Sequence, residues 1–164
     1  MADITLSSGS TIRPYRSPWG AFPIARMLES TGQSFRTGYV LQIDTNVATS
    51  AGRVAAYSTN STSIVGVAAE AASSVYNQAI PVYEANPMVE FRGNTKTALT
   101  STMVGTESAL AFDSSLAIYY LNIGNSTAAD HRVVITELID AAGDTNGAVA
   151  FRFKGAFSHL YPSD

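Results

Sequence analysis

The sequence predicts an all-β protein, a single β-barrel or β-sandwich-like domain preceded by an extended N-terminal arm. Three observations lead there. From Tyr39 onward, short apolar runs recur about every ten residues, separated by Gly, Asn, Asp, Ser and Pro, which is the spacing of strands in a sandwich or barrel. Within the clearest runs, apolar and polar residues alternate with period two. Before Tyr39, Pro14, Pro18 and Pro23 stand four and five residues apart, which excludes a helix interior or a central strand and leaves extended chain.

Taken in order, residues 1–35 form the expected arm. Residues 1–36 carry Arg13, Arg16, Arg26 and Arg36 against Asp3 and Glu29, a net charge of +2, while the remaining 128 residues carry −5. The same stretch holds the only tryptophan, Trp19, with Tyr15, Phe22, Ile24, Met27 and Leu28. A long connection without structure of its own is usually functional or disordered, and this apolar content favours an arm ordered by lying on a partner. A free tail, or an arm folded over its own domain, is the plainer alternative.

The β-domain is expected over residues 36–158, with a short C-terminal tail at 159–164. Its strands read as Gly38 to Ile43, closed by Asp44-Thr45-Asn46, then Arg53 to Tyr57, Ser63 to Ala69, Ile80 to Glu84 and Met88 to Arg92. Asn86-Pro87 marks a turn between the last two. Further strands follow at Ala117 to Leu121, Arg132 to Leu138 and Ala148 to Phe153. The loop between the last pair contains Asn146-Gly147, residues suited to left-handed backbone in a hairpin. Only Ala68 to Val75 and Lys96 to Met103 look helical, and both are short and broken by Ser or Thr.

Composition narrows the function. The 164 residues contain no Cys, which excludes a disulfide framework, a thiolate metal site and a cysteine nucleophile. A net charge of −3 argues against nucleic acid as the main partner. No apolar run is long enough for a membrane-spanning helix, and the N-terminus lacks the apolar core of a secretory signal. Only 14% of residues are charged, whereas 35 are Ser or Thr. Eight of the ten cationic residues are arginine, the type favoured in interface ion pairs.

Catalytic groups are scarce. His131 and His159 lie 28 residues apart without a neighbouring ligand at metal-binding spacing. No Gly-x-Ser-x-Gly elbow or phosphate-cradling loop occurs. Asp140 to Gly147 has the oxygen-rich character of a calcium loop, but in that register the first and twelfth ligand positions fall on Ala142 and Phe153. Glu84 and Glu90 flank the Asn86-Pro87 turn and read as outward residues of a hairpin more readily than as a glycosidase pair. The reading is therefore no enzyme, no cofactor and no metal. Of the adjacent Tyr119 and Tyr120, one ring must enter the core and the other face outward.

The ordered series GYVLQIDTN, GRVAAYSTNSTSIVGVAAEAASS, AIPVYEANPMVEFRG, TSTMVGTESALAFDSSLAIYYL and HRVVITELIDAAGDTNGAVAFRF, spread over residues 36–154, resembles the small capsid cement or head decoration proteins of tailed bacteriophages. The resemblance implies a homotrimeric β-domain on the capsid exterior that locks neighbouring major capsid subunits. The arm has no counterpart in it. Its residues Arg13, Tyr15, Arg16, Trp19, Phe22, Arg26 and Arg36 are the expected contacts with the capsid or a neighbouring subunit, the aromatics as anchors and the arginines as partners of acidic groups. A tail- or head-fibre domain that recognises host carbohydrate is the alternative.

Overall fold

The computed structural model describes residues 1–44, 52–58 and 61–158. The expected tail 159–164 with His159 and the turn residues Thr45 and Asn46 lie outside the described residues.

Eleven strands form among the described residues: β1 (Arg13–Arg16), β2 (Ile24–Leu28), β3 (Val40–Ile43), β4 (Val54–Ala56), β5 (Ile64–Ala68), β6 (Ala79–Glu84), β7 (Glu90–Asn94), β8 (Glu107–Asp113), β9 (Ile118–Asn122), β10 (His131–Leu138) and β11 (Ala148–Phe153). They pair antiparallel in two sheets, ordered β1-β7-β11-β10-β8-β9 and β2-β6-β5-β3-β4. The fold is thus all-β and sandwich-like, and the sheets do not close into a barrel. The six-stranded sheet curls far enough for Thr95, just past β7, to make a single parallel bridge to Leu121 of β9.

Period-two patterning explains which sheet face turns inward. In β7 and β11, Phe91, Gly93, Val149, Phe151 and Phe153 point to the core, whereas Glu90, Arg92 and Arg152 share the outer face. Phe91 and Phe153 meet edge to face with centroids 5.1 Å apart. Each fully buried ring or aliphatic chain contributes about 1.5–3 kcal/mol. β5 is buried at every position, as a strand covered on both faces must be.

The connection at Asn86-Pro87 differs from the expected hairpin. β6 and β7 belong to different sheets, so this turn carries the chain across the core from one layer to the other. Glu84 and Glu90 accordingly leave the turn on separate sheets. The hairpin joining β10 and β11 forms as expected; Asn146 supplies left-handed backbone with φ 58°, but the left-handed glycine of the loop is Gly143 at 97° and not Gly147. No α-helix forms at 68–75 or 96–103; the second stretch contributes only a 3-10 turn at Ser101–Met103.

The expected boundary near residue 35 is corrected by the pairing. Residues 1–35 are not a separate arm: β1 is an edge strand of one sheet and β2 an edge strand of the other. Ile12 and Phe35 belong to the same buried cluster as Val40 and Phe91. The physical reason is that both edges offer unpaired backbone groups, and a Pro-bearing strand is tolerated at an edge. Glu29 fastens the end of β2, its buried carboxylate accepting bonds from the Ser73 and Ser74 backbone N–H groups at 2.8 and 3.0 Å and from the Ser73 hydroxyl at 2.7 Å.

Candidate functional site

The segment Ser17 to Pro23 crosses from the edge of one sheet to the edge of the other, and the Ala85 to Val89 turn crosses beside it, with the Glu84 N–H donating to the Pro23 carbonyl at 3.1 Å. Ser17-Pro18-Trp19-Gly20 is a tight turn: Pro18 presets the second position, and Gly20 takes φ +74°. The Gly20 N–H donates to the Ser17 carbonyl at 3.2 Å, and the Ser17 hydroxyl donates to the Ala21 carbonyl at 2.6 Å. This turn presents Trp19 to solvent with 59% of its surface exposed. Met88 and Ile24 are also exposed on this side of the sandwich.

A β-bulge decides the chemistry of β1. Arg13 pairs in register with Arg92 and Arg16 with Glu90, the slip falling between Pro14 and Arg16. Residues three apart on a regular strand would face opposite ways; the extra residue turns both guanidiniums to the outer face. There Arg16 Nη1 lies 2.7 Å from Glu137 and 3.6 Å from Glu90, and Arg152 donates to Glu90 at 3.0 Å. The bonded Glu137 carboxylate raises the Arg16 pKa above its ordinary value. The Arg16 guanidinium also covers the Tyr15 ring, 4.6 Å from its centroid. A groove of about 330 Å³ runs along this edge, lined by Arg16, Ser17, Pro18, Met88, Glu90 and Arg152.

The structure therefore gathers Arg13, Tyr15, Arg16 and Trp19 on one edge of the sandwich. Phe22 is not a free anchor: it is half-buried and packs edge-on against Tyr83 at 6.3 Å. Arg26 sits on β2 of the other sheet, exposed between Ile24 and Leu28, and donates to the Ala79 carbonyl at 3.4 Å. Arg36 is exposed in the connection to β3, apart from that groove. Sequence reasoning missed Glu90, Arg92, Arg152 and Glu137 as members of this face. Alternation within each strand puts Glu90 with Arg92, but only the register places Arg13 and Arg16 beside them.

A second concavity opens at the opposite side of the sandwich, near edge strands β4 and β9. About 500 Å³ in volume, it is lined by Tyr39, Tyr57, Phe112 and Tyr119 with Gln33 and Ser58 among its polar groups. Tyr39 meets Phe112 and Tyr119 with centroids 5.4 Å away in each case. The buried Tyr119 hydroxyl donates to the Tyr57 carbonyl at 2.5 Å, and burial pushes its pKa well above the usual tyrosine range. Tyr120 faces outward, where Lys96 lies over its ring at 4.7 Å. Tyr119 and Tyr120 thus divide between core and surface as strand alternation requires.

His131 Nε2 meets the Asn125 carbonyl at 2.9 Å, and its Nδ1 lies 3.7 Å from Glu107. Among the described residues, no cluster of three or more His, Asp or Glu side chains is arranged to hold a metal ion, and no helix is long and apolar enough to cross a membrane. The protein is defined at this point as a two-sheet, all-β sandwich with an arginine-rich edge. Compared with protein-family models, curated proteins and solved structures, the chain finds no match.

Proposed function

We propose that the protein is a virion structural component that decorates the outside of a phage capsid as a homotrimer and cements neighbouring major capsid subunits. The observation that carries this reading is the β1 edge, where exposed Trp19 and Met88 accompany Arg13 and Arg16, with exposed Ile24 on the edge strand β2 of the other sheet. Aromatic and arginine side chains dominate interface energetics, and this edge offers both on a rigid sheet. A protein that binds the assembled lattice and not its separated parts stabilises the assembly by mass action, and three linked copies multiply a weak contact through effective concentration.

The test uses shells assembled from the major capsid protein of the same genome. Full-length protein should form trimers by light scattering and co-sediment with the shells, and Trp19→Ala together with Arg16→Glu should abolish co-sedimentation while leaving circular dichroism unchanged. Undiminished binding by that variant would refute the assigned surface, and absence of binding by the unaltered protein would refute the function.

The aromatic concavity favours the second reading, a fibre domain that binds host carbohydrate, because clustered aromatic rings beside amide and hydroxyl groups suit sugar faces. Copy number per particle separates the two: hundreds for a cement protein, tens for a fibre.

A further inference from the structure

Across the β1–β7 ladder, Arg13 stands directly opposite Arg92. Like charges in this position destabilise an antiparallel pair. The other two arginines of the face are neutralised, Arg16 by Glu137 and Glu90 and Arg152 by Glu90. Among the described residues, Arg13 and Arg92 have no such partner. Four arginines against Glu90, Glu137 and Asp140 leave this face with an excess of one positive charge in a protein whose net charge is −3, and the excess falls on this one cross-strand pair.

Arg13 and Arg92 line a pocket of about 190 Å³, which Ser10, Thr11, Asn94 and Asp140 also border. Asp140 keeps its negative charge at the border of the pocket, with Oδ2 held by the Ala148 N–H at 2.7 Å, and Asn94 donates to the Asn146 carbonyl at 2.9 Å. The space is smaller than the roughly 300–1,000 Å³ of pockets for drug-sized ligands. It suits a single small group.

We infer that this pocket is a binding site for one oxyanion, held between the guanidiniums of Arg13 and Arg92. Each guanidinium presents five N–H donors in a planar fork that matches carboxylate and phosphate oxygens. An oxyanion placed between them turns a repulsive cross-strand pair into two charge-assisted contacts. The ligand is an inorganic phosphate or the carboxylate of an acidic side chain, and the site stands whether or not the protein decorates a capsid.

The experiment is thermal melting of the full-length protein at constant ionic strength, in chloride, in inorganic phosphate, and with a capped tetra-aspartate peptide. The unaltered protein should gain melting temperature saturably with phosphate beyond its response to chloride. Arg13→Gln and Arg92→Gln should each weaken that binding about tenfold or more, the loss of one charge-assisted contact. In oxyanion-free buffer both variants should melt at or above the unaltered protein, because the repulsion is relieved; a purely structural arginine would give the opposite sign. Arg26→Gln, on the other sheet, should respond in full. A response to tetra-aspartate as well as phosphate identifies a carboxylate-accepting site, and a response to phosphate alone a phosphate site. No gain over chloride with either probe, a fall in melting temperature for Arg92→Gln without oxyanion, or an equal loss in Arg26→Gln overturns the inference.

Discussion

Replacing Gly66 by alanine should break the five-stranded sheet at its centre. Gly66 lies on β5, paired to Leu41 of β3 on one side and Glu84 of β6 on the other. A Cβ added there would sit 1.9 Å from the Tyr83 carbonyl oxygen, about 1.5 Å short of the 3.4 Å at which ordinary contact begins. The obstacle is backbone, so no side-chain rotation relieves it. A separation of that size carries the neighbouring N–H···O bonds beyond hydrogen-bond range. Two ladder bonds lost at about 1 kcal/mol each, with at least one buried group left unsatisfied at about 1–3 kcal/mol, give about 3–5 kcal/mol. For a chain of this length each kcal/mol moves Tm by about 2–4 °C, so Gly66→Ala should melt about 6–20 °C below the unaltered protein. Gly124→Ala is the control, because its methyl group would meet only Asn122 Oδ1 at 3.9 Å. Melting followed by far-ultraviolet circular dichroism measures both. A Gly66→Ala variant that melts within about 2 °C of the Gly124→Ala control would refute the close approach and the strand register behind it.

Deleting residues 1–35 removes β1, β2 and the buried side chains Ile12 and Phe35; the truncated chain should lose its cooperative thermal transition, and a sharp melt near that of the full chain would contradict the edge-strand assignment. Tyr119→Phe removes the bond to the Tyr57 carbonyl and should destabilise by about 1–2 kcal/mol, measured by urea unfolding. Lys96 and Asp113 form an ion pair that lowers the Asp113 pKa, with help from Ser115 and the Leu116 N–H, and raises that of Lys96. A carboxylate whose folded pKa is depressed stabilises above its unfolded value, near 4, and loses that contribution as pH falls through the folded value. The Tm gap between the unaltered protein and Asp113→Asn should therefore be present at pH 6 and narrow steadily below about pH 4; a gap independent of pH would contradict the pairing.

Short apolar runs bounded by turn residues made most strands of the domain legible. Val40–Ile43, Ile64–Ala68, His131–Leu138 and Ala148–Phe153 fall within two residues of the runs that announce them, because burial on a sheet demands apolar residues at fixed intervals. β8 escaped notice because one inward position is the polar Ser108 and the opposite face carries the small apolar Ala109 and Ala111, which blurs the alternation set by Leu110 and Phe112. β1 and β2 were hidden for another reason. Three prolines and an irregular apolar content argue against a central strand, and nothing local announces that a neighbouring sheet has a vacant edge. The candidate site divides similarly: Arg13, Tyr15, Arg16 and Trp19 were recognisable from residue type, whereas Phe22 is spent on packing against Tyr83 and Arg92 comes from a strand more than seventy residues away in the chain.

By itself the sequence determined the all-β class, the hairpin of β10 and β11, and the opposite fates of Tyr119 and Tyr120, since each follows from alternation or turn chemistry within a few adjacent residues. The tertiary structure alone decided that the basic N-terminal segment is part of the sandwich, that Glu84 and Glu90 part into different sheets, and that Arg13 faces Arg92. Those outcomes depend on strand order, register and a single bulge in β1, which are set by pairing between distant segments and have no counterpart in local spacing.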